Sequence, residues 1–355
     1  MNKFSNSNVN IQSSTSRDRN ILHEVIPLET PYVVGFYVGD FCNFKCVYCA
    51  QSLDNNNPES RHLIKQFMKY EDFIGYANQL KKFPDKIKTI LFSSIGEPTL
   101  NKDLSKMIKY VSDLNVANEI KLITNGSNLT EQLSKELIDA GLTQILISIQ
   151  GVTAESYREV CKFNMDINEL LRNIEFFYNY SKSKGKEKCH IHIKTVDLAL
   201  KSKEEVKLFY QLFGGICDSI HVDCVVPSFL GVDYTDILSG KKVKDTNSKK
   251  ENVICCPTPF YMINVQPNGN IVPCCIAHQP IILGNAKMIS VSDAWSSNKR
   301  ISFLKMQLNK KRYNHPVCKK CELPCYSSSP EDIIDPFSDK LLKRFNNMIN
   351  KKELL

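Results

Sequence analysis

The sequence has no apolar run approaching the roughly 18 residues that a membrane-spanning helix needs. Its first 25 residues, including Asn6-Ser7-Asn8 and Ser13-Ser14-Thr15-Ser16, lack the apolar core of a secretory signal. Nothing in it looks fibrous or wholly disordered: glycine (14) and proline (15) are too few for a repeat, and 42% hydrophobic residues can supply a core. No recognisable nucleic-acid-binding motif accompanies the net charge of +8. That charge is local, in Lys241-Lys242, Lys249-Lys250, Lys310-Lys311-Arg312, Lys319-Lys320 and Lys351-Lys352, and reads as solvated runs. The expectation is a soluble, cytoplasmic protein with one large domain and a smaller one, without a membrane or nucleic-acid partner.

Cysteine, by contrast, is abundant, at 14 residues. Without an export signal, its close pairs and triplets favour metal binding over disulfides. The central group is Cys42, Cys46 and Cys49, spaced C-x3-C-x2-C on a loop after the apolar run 32–38. Three thiolates can wrap one side of a soft metal centre, iron-sulfur or zinc. What is missing is a local fourth ligand. A structural zinc site wants four protein ligands, whereas a cluster iron with a free position can hold a small molecule.

On this spacing, with Tyr48 just before the third cysteine, the sequence resembles the radical SAM enzymes. The resemblance implies a [4Fe-4S] cluster on Cys42, Cys46 and Cys49 whose free iron chelates S-adenosyl-L-methionine. It also implies reductive cleavage of that cofactor to a 5'-deoxyadenosyl radical, fed by a one-electron donor such as flavodoxin or ferredoxin.

Apolar runs at 32–38, 89–94, 119–124, 144–149, 189–194 and 219–224 read as six strands. Helical stretches between them, around 102–114, 130–140, 166–182 and 203–213, argue for an α/β fold with a parallel sheet and crossover helices. Closure into a partial (β/α)6 TIM-like barrel is what the resemblance implies. The twofold period of a strand puts Ser148 with Gln150, His190 with His192 and Lys194, and His221 with Asp223 on shared faces. A parallel barrel keeps its chemistry at the strand carboxyl ends, so His192, Lys194, His221 and Asp223 are substrate-side candidates. Hydrogen-bonded core histidines are the alternative reading of His190 and His192.

Ser94-Ile95-Gly96-Glu97-Pro98 resembles the family's Gly-Gly-Glu-Pro segment, with Ile95 in place of the first glycine. Here Gly96 permits close backbone approach, and by resemblance Glu97 accepts from the cofactor's amine. The resemblance also puts Asn125, Ser148 and Gln150 beside the cofactor's ribose and carboxylate, and offers Arg158 as a partner for the carboxylate. Generic turn chemistry explains Asn125 equally well, and Arg158 could be a helix-surface cation.

The chain is expected to divide into a disordered tail (1–27), the barrel (28–232), a polar linker (233–254), a small Cys-rich unit (255–328) and a basic tail (329–355) with Leu341 and Phe345 at helical spacing. In the Cys-rich unit, Cys255-Cys256 and Cys274-Cys275 flank a hairpin turned at Asn268-Gly269, and Cys318 and Cys321 form a C-x2-C chelate with Cys325 beyond. This pattern resembles the SPASM extension. The resemblance implies one auxiliary [4Fe-4S] cluster on Cys256, Cys274, Cys318 and Cys321, with Cys255, Cys275 and Cys325 as alternatives and structural zinc as the competing metal.

Relatives with one auxiliary cluster include oxidants of sugar or aminocyclitol carbons, which makes a small polyhydroxylated substrate and a dehydrogenation the expected function. The stretches 148–155 and 194–197 are also similar to relatives in carbohydrate pathways. The alternatives are peptide epimerisation or crosslinking, for which the residues before the first strand look too few and too polar to bind a leader, and a non-catalytic electron carrier or redox sensor. Two clusters predict about eight iron and eight sulfide per chain. Replacing Cys42, Cys46 and Cys49 together with alanine should halve both and abolish S-adenosylmethionine cleavage; undiminished cleavage in anaerobic assays would refute the assignment.

Overall fold

All six predicted strands form, and the computed structural model describes residues 10–12, 19–93, 95–185, 189–239 and 253–352. They are β1 (Val33–Tyr37), β2 (Ile87–Ser93), β3 (Ala117–Thr124), β4 (Gln144–Ile149), β5 (His190–Val196) and β6 (Ser219–Asp223). Each lies parallel to the next in sequence order, so every connection is a crossover. The crossovers carry the helices Tyr70–Asn78, Leu104–Leu114, Glu131–Asp139, Ile167–Ser183 and Lys203–Phe213. Side-chain caps start several of them: Thr130, Asp166 and Ser202 each accept from a backbone N–H of the first turn. An extra helix, Ala154–Cys161, opens directly after β4, outside the helical stretches read from the spacing and in line with the alternative of Arg158 as a helix-surface cation.

The strands divide their side chains by parity. Ile120, Leu122, Ile145, Ile147, Ile191 and Ile193 are buried among the helices in the main apolar cluster. The other parity faces the barrel lumen, where register aligns Leu146, His192 and Ser219 at one level and Ser148, Lys194 and His221 at the next.

The sheet does not stop at β1. Strand β7 (Met262–Val265) pairs parallel to β1, followed by antiparallel β8 (Asn270–Val272) and β9 (Gly284–Asn285). Gly269, with φ of 85°, makes the hairpin turn between β7 and β8. The Cys-rich segment, expected as a separate unit, is thus hydrogen-bonded into the sheet of the barrel.

The expected tails also need correction. Of the stretch 1–27, residues 10–12 pair with the free edge of β6 through Gln12 N to Ile220 O (3.2 Å) and Ile220 N to Asn10 O (3.1 Å). Leu22 and Ile26 are buried in a second apolar cluster with Cys255, Phe260, Leu304, Leu341 and Phe345. The last two belong to the helix Ser338–Lys352, so segments from both ends of the chain meet in one core. The polar composition of the N-terminal stretch concealed this, because only a few of its residues are apolar and their partners lie some 300 residues away. Residues 1–9 and 13–18 of the expected tail and 240–252 of the expected linker lie outside the described residues, as does Ser94. The rest of the linker is attached: Tyr234 donates to Tyr48 O (2.9 Å), and Val253 is buried. Among the described residues no helix is long and apolar enough to cross a membrane.

Leu22→Ala should destabilise the protein by about 2 to 5 kcal/mol in denaturant unfolding. An unchanged midpoint would mean that this segment is not docked as described.

Candidate active site

The loop after β1 presents Cys42, Cys46 and Cys49, all half-buried, and other parts of the barrel hold it in shape. Asp40 accepts from Ile64 N (2.8 Å), and the buried Gln51 amide donates to Asp40 O (2.8 Å) and Ile95 O (3.0 Å). Lys45 N and Val47 N donate to Cys161 O and Val160 O (2.9 Å each), docking the loop on the end of the helix Ala154–Cys161. Phe44 anchors it from below, between Tyr157 (6.0 Å, edge-on) and Phe163 (4.7 Å). Burial pushes the Cys42 and Cys49 thiols up to about 12, and each is raised further by neighbouring thiols of the triplet. The Cys46 thiol is raised chiefly by its hydrogen bond to Cys161, a buried cysteine behind the loop that the sequence did not single out, and then by burial.

Gly96 owes its identity to packing. A Cβ there would lie 2.2 Å from Phe41 O and 2.8 Å from Asp40 C, so the backbone of the cysteine loop fills the space a side chain would need. Next to it, Glu97 N donates to Phe41 O (2.8 Å). Glu97 itself is buried, and its carboxylate accepts four bonds: Thr99 N (3.0 Å), Thr99 Oγ1 (2.6 Å) and Thr124 Oγ1 (2.6 Å) on Oε1, and Asn125 N (2.7 Å) on Oε2. Burial raises its pKa, and these bonds oppose the rise without cancelling it. Three donors crowd Oε1, while Oε2 keeps a lone pair available for an ammonium group. Ile95, standing where the family has glycine, packs with Tyr37, Ala50, Leu63 and Ala277.

Asn125 links the end of β3 to the cysteine loop: its amide donates to Asn43 Oδ1 (3.0 Å), and Asn43 in turn donates to Ser127 Oγ (2.8 Å). Tyr48 donates to Gln150 Oε1 (2.5 Å) at the end of β4. Ser148 is half-buried in register with Lys194. These residues converge; Arg158 does not, lying exposed on the helix Ala154–Cys161. Asn43 and Gln51 were not singled out from the sequence because each is an ordinary polar residue whose partner is remote in the chain.

Below the loop, a cavity of about 620 Å³ opens along the lumen, lined by Thr89, Lys121, Gln144, Leu146 and Lys194 among others. Lys194 Nζ lies 3.1 Å from Asp223 Oδ2, and His221 Nε2 lies 3.4 Å from Asp223 Oδ1. His192 is buried, with Nδ1 2.8 Å from Ser219 Oγ and no partner for Nε2 among the described residues. Burial, with Lys121 adding to it, lowers its pKa to about 3, so it stays neutral near pH 7. His190 also reaches Ser219 Oγ (2.9 Å), so both histidines are hydrogen-bonded and both lie on the lumen-facing parity.

The second cysteine group gathers beside β1. Burial raises the Cys274 thiol well above its ordinary value, and neighbouring Cys256, Cys275, Cys318 and Cys321 raise it further. Cys255 turns the other way, into the second apolar cluster, its Sγ 3.1 Å from Gln307 O. Cys275 stays with the group, near Cys321, and Cys325 lies at its margin, with Sγ 3.8 Å from Val253 O. Cys274 O is held by Tyr37 OH (3.2 Å) and Asn264 Nδ2 (2.9 Å). Asn264 occupies the space beside Gly35, where a Cβ would come within 2.0 Å of its Oδ1.

Both donor sets fit iron-sulfur clusters. Buried thiols this close together repel one another as thiolates and need a soft cationic centre to ionise. The triplet leaves one coordination position open, whereas the second group can supply four ligands.

Comparison with known proteins bears on these two groups. The model of the radical SAM superfamily matches residues 36–193, and that of an iron-sulfur cluster-binding domain, SPASM, matches residues 255–322. A GTP 3',8-cyclase of Saccharophagus degradans is 31% identical over 144 residues, 40% of this chain and 40% of that protein. The matched part is thus well under half of the curated relative's length. Among solved structures, anSMEcpe with bound AdoMet has a TM-score of 0.57 at 19% identity, covering 92% of this chain and all of that one. Streptococcus suis SuiB bound to S-adenosylmethionine also has a TM-score of 0.57, at 15% identity, covering 87% and 77%. At these identities the two structures show the fold.

Gly96→Ala should push the cysteine loop off its seat. Iron analysis of the anaerobically reconstituted variant should show loss of the triplet's share and retention of the second group's; full iron content would contradict the packing role.

Proposed function

The chain belongs to the radical SAM superfamily of enzymes and carries a SPASM domain after its barrel, and on that premise we propose that it oxidises a small polyhydroxylated molecule, of sugar or aminocyclitol type, held in the barrel lumen. Cys42, Cys46 and Cys49 would hold one [4Fe-4S] cluster, and Cys256, Cys274, Cys318 and Cys321 an auxiliary one. When bound, these groups supply the electron that splits S-adenosylmethionine into methionine and a hydrogen-abstracting 5'-deoxyadenosyl radical, and an acceptor for the second electron of the oxidation.

The observation that carries the substrate assignment is the Lys194–Asp223–His221 chain at the carboxyl ends of β5 and β6. Ammonium, carboxylate and imidazole side by side offer both donors and acceptors to neighbouring hydroxyl groups, which suits a polyol. Oxidation of an alcohol carbon to a carbonyl also releases the hydroxyl proton. Asp223, with both oxygens facing basic groups, is the acceptor for it. His192, held neutral by burial, serves as a fixed hydrogen-bond partner of Ser219. Tyr48, Gln150, Asn125 and Glu97 would close the cofactor's side of the space, Glu97 through the open lone pair of Oε2 and Ser148 from the neighbouring level. Arg158 would reach the cofactor only if its exposed side chain folds inward.

The test is anaerobic turnover with a panel of sugars and cyclitols deuterated at their carbinol carbons. Deuterium should enter 5'-deoxyadenosine, with a product two electrons more oxidised. Asp223→Asn should lower kcat/KM on the order of 100-fold while sparing slow, substrate-free cleavage of S-adenosylmethionine. Transfer from a peptide and from no polyol would assign the site to peptide modification instead.

A further inference from the structure

Three metal-ligating side chains that belong to neither cysteine group meet on the loops that follow the two groups. Glu59 and His62 lie on the 3-10 turn Pro58–His62, in the loop that follows the cysteine triplet. Residues three apart on such a turn eclipse one another, which puts both on one side. His278 comes from the loop just after Cys274-Cys275. Its Nε2 lies 2.5 Å from Glu59 Oε2, His62 Nε2 lies 3.7 Å from the same oxygen, and the three potential ligand atoms all lie within 4.8 Å of one another.

We propose that Glu59, His62 and His278 form a binding site for a divalent transition-metal ion, separate from both cysteine groups. Two imidazoles and a carboxylate are a donor set for zinc or iron(II). Ligands about 2.0 to 2.2 Å from a shared ion sit roughly 3.0 to 3.5 Å apart, so a separation of up to 4.8 Å would close by at most about 1.8 Å, within reach of side-chain rotation, and the 2.5 Å pair would open slightly. His278 is buried, and its Nδ1 has no partner among the described residues, which leaves Glu59 as the anchor of that imidazole. Burial lowers the pKa of His278, keeping its ring neutral and able to coordinate. His62 is half-exposed, its ring centroid 4.1 Å from that of His278, so the site stays accessible to an incoming ion and to water as a further ligand. Glu59 is backed by Gly231, where a Cβ would come within 2.8 Å of the Glu59 Cβ and Cγ. The unfavourable neighbour is Lys320, whose charge also acts on His278 and weakens the site without occupying it.

Such an ion would clasp the loop behind the first cysteine group to the loop behind the second. The test uses protein with both cysteine sites reconstituted anaerobically, washed with chelator and titrated with cobalt(II) alone. One equivalent should bind with ligand-field bands of a nitrogen and oxygen environment and no thiolate charge-transfer band. His62→Ala, at a half-exposed position, and Glu59→Gln should each weaken binding at least tenfold with the iron content unchanged. Absence of that equivalent, or equal binding by wild type and both variants, would overturn the site and leave a hydrogen-bonded cluster.

Discussion

The Glu97 carboxylate is where the active face is held together. It is buried, and every donor it meets comes from a segment that must be placed: Thr99 from its own turn, Thr124 and Asn125 from the end of β3. Its backbone N–H reaches across to Phe41 in the cysteine loop, over the gap left by the missing Cβ of Gly96. A buried carboxylate left without donors would cost several kcal/mol, so the three segments are stable only together. In the proposed role the same residue would meet the cofactor's amine through the lone pair that these donors leave over on Oε2.

Strand β1 plays the matching part for the distance between the two cysteine groups. The triplet leaves its carboxyl end, while Tyr37 and, across Gly35, Asn264 grip the carbonyl of Cys274. Pairing of β7 to β1 extends this into a continuous sheet. In the proposed reaction two metal centres would exchange electrons with one substrate at a constant separation, and a hydrogen-bonded sheet is stiffer than a linker between domains.

The lumen sets a different problem. Lysines, histidines, an aspartate and a glutamine face inward where most barrels pack aliphatic layers. Their burial is tolerable because they are arranged in contact, Asp223 with both Lys194 and His221, and His192 with Ser219. Burial keeps His192 neutral, while Lys88, Glu119 and Lys121 on β2 and β3 and Lys194 on β5 bring charge into the cavity wall.

Local patterning determined much of this in advance. Runs of isoleucine, valine and leucine marked the strands, their parity marked the lumen residues, and the C-x3-C-x2-C spacing marked the triplet, because strand period and chelate spacing are properties of neighbours in sequence. Three things only the tertiary structure decided. Cys255 and Cys256 are chemically equivalent in the sequence, and the one facing Leu22 and Phe345 is excluded from the thiol group by what packs there. Gly96 was expected to permit close backbone approach, and only the fold identifies the approaching backbone as that of Phe41. Arg158 has the right charge but sits on the outer face of a helix that periodicity did not reveal. In each case the deciding partner lies tens to hundreds of residues away, and its position depends on how strands and crossovers pack, which no local window encodes.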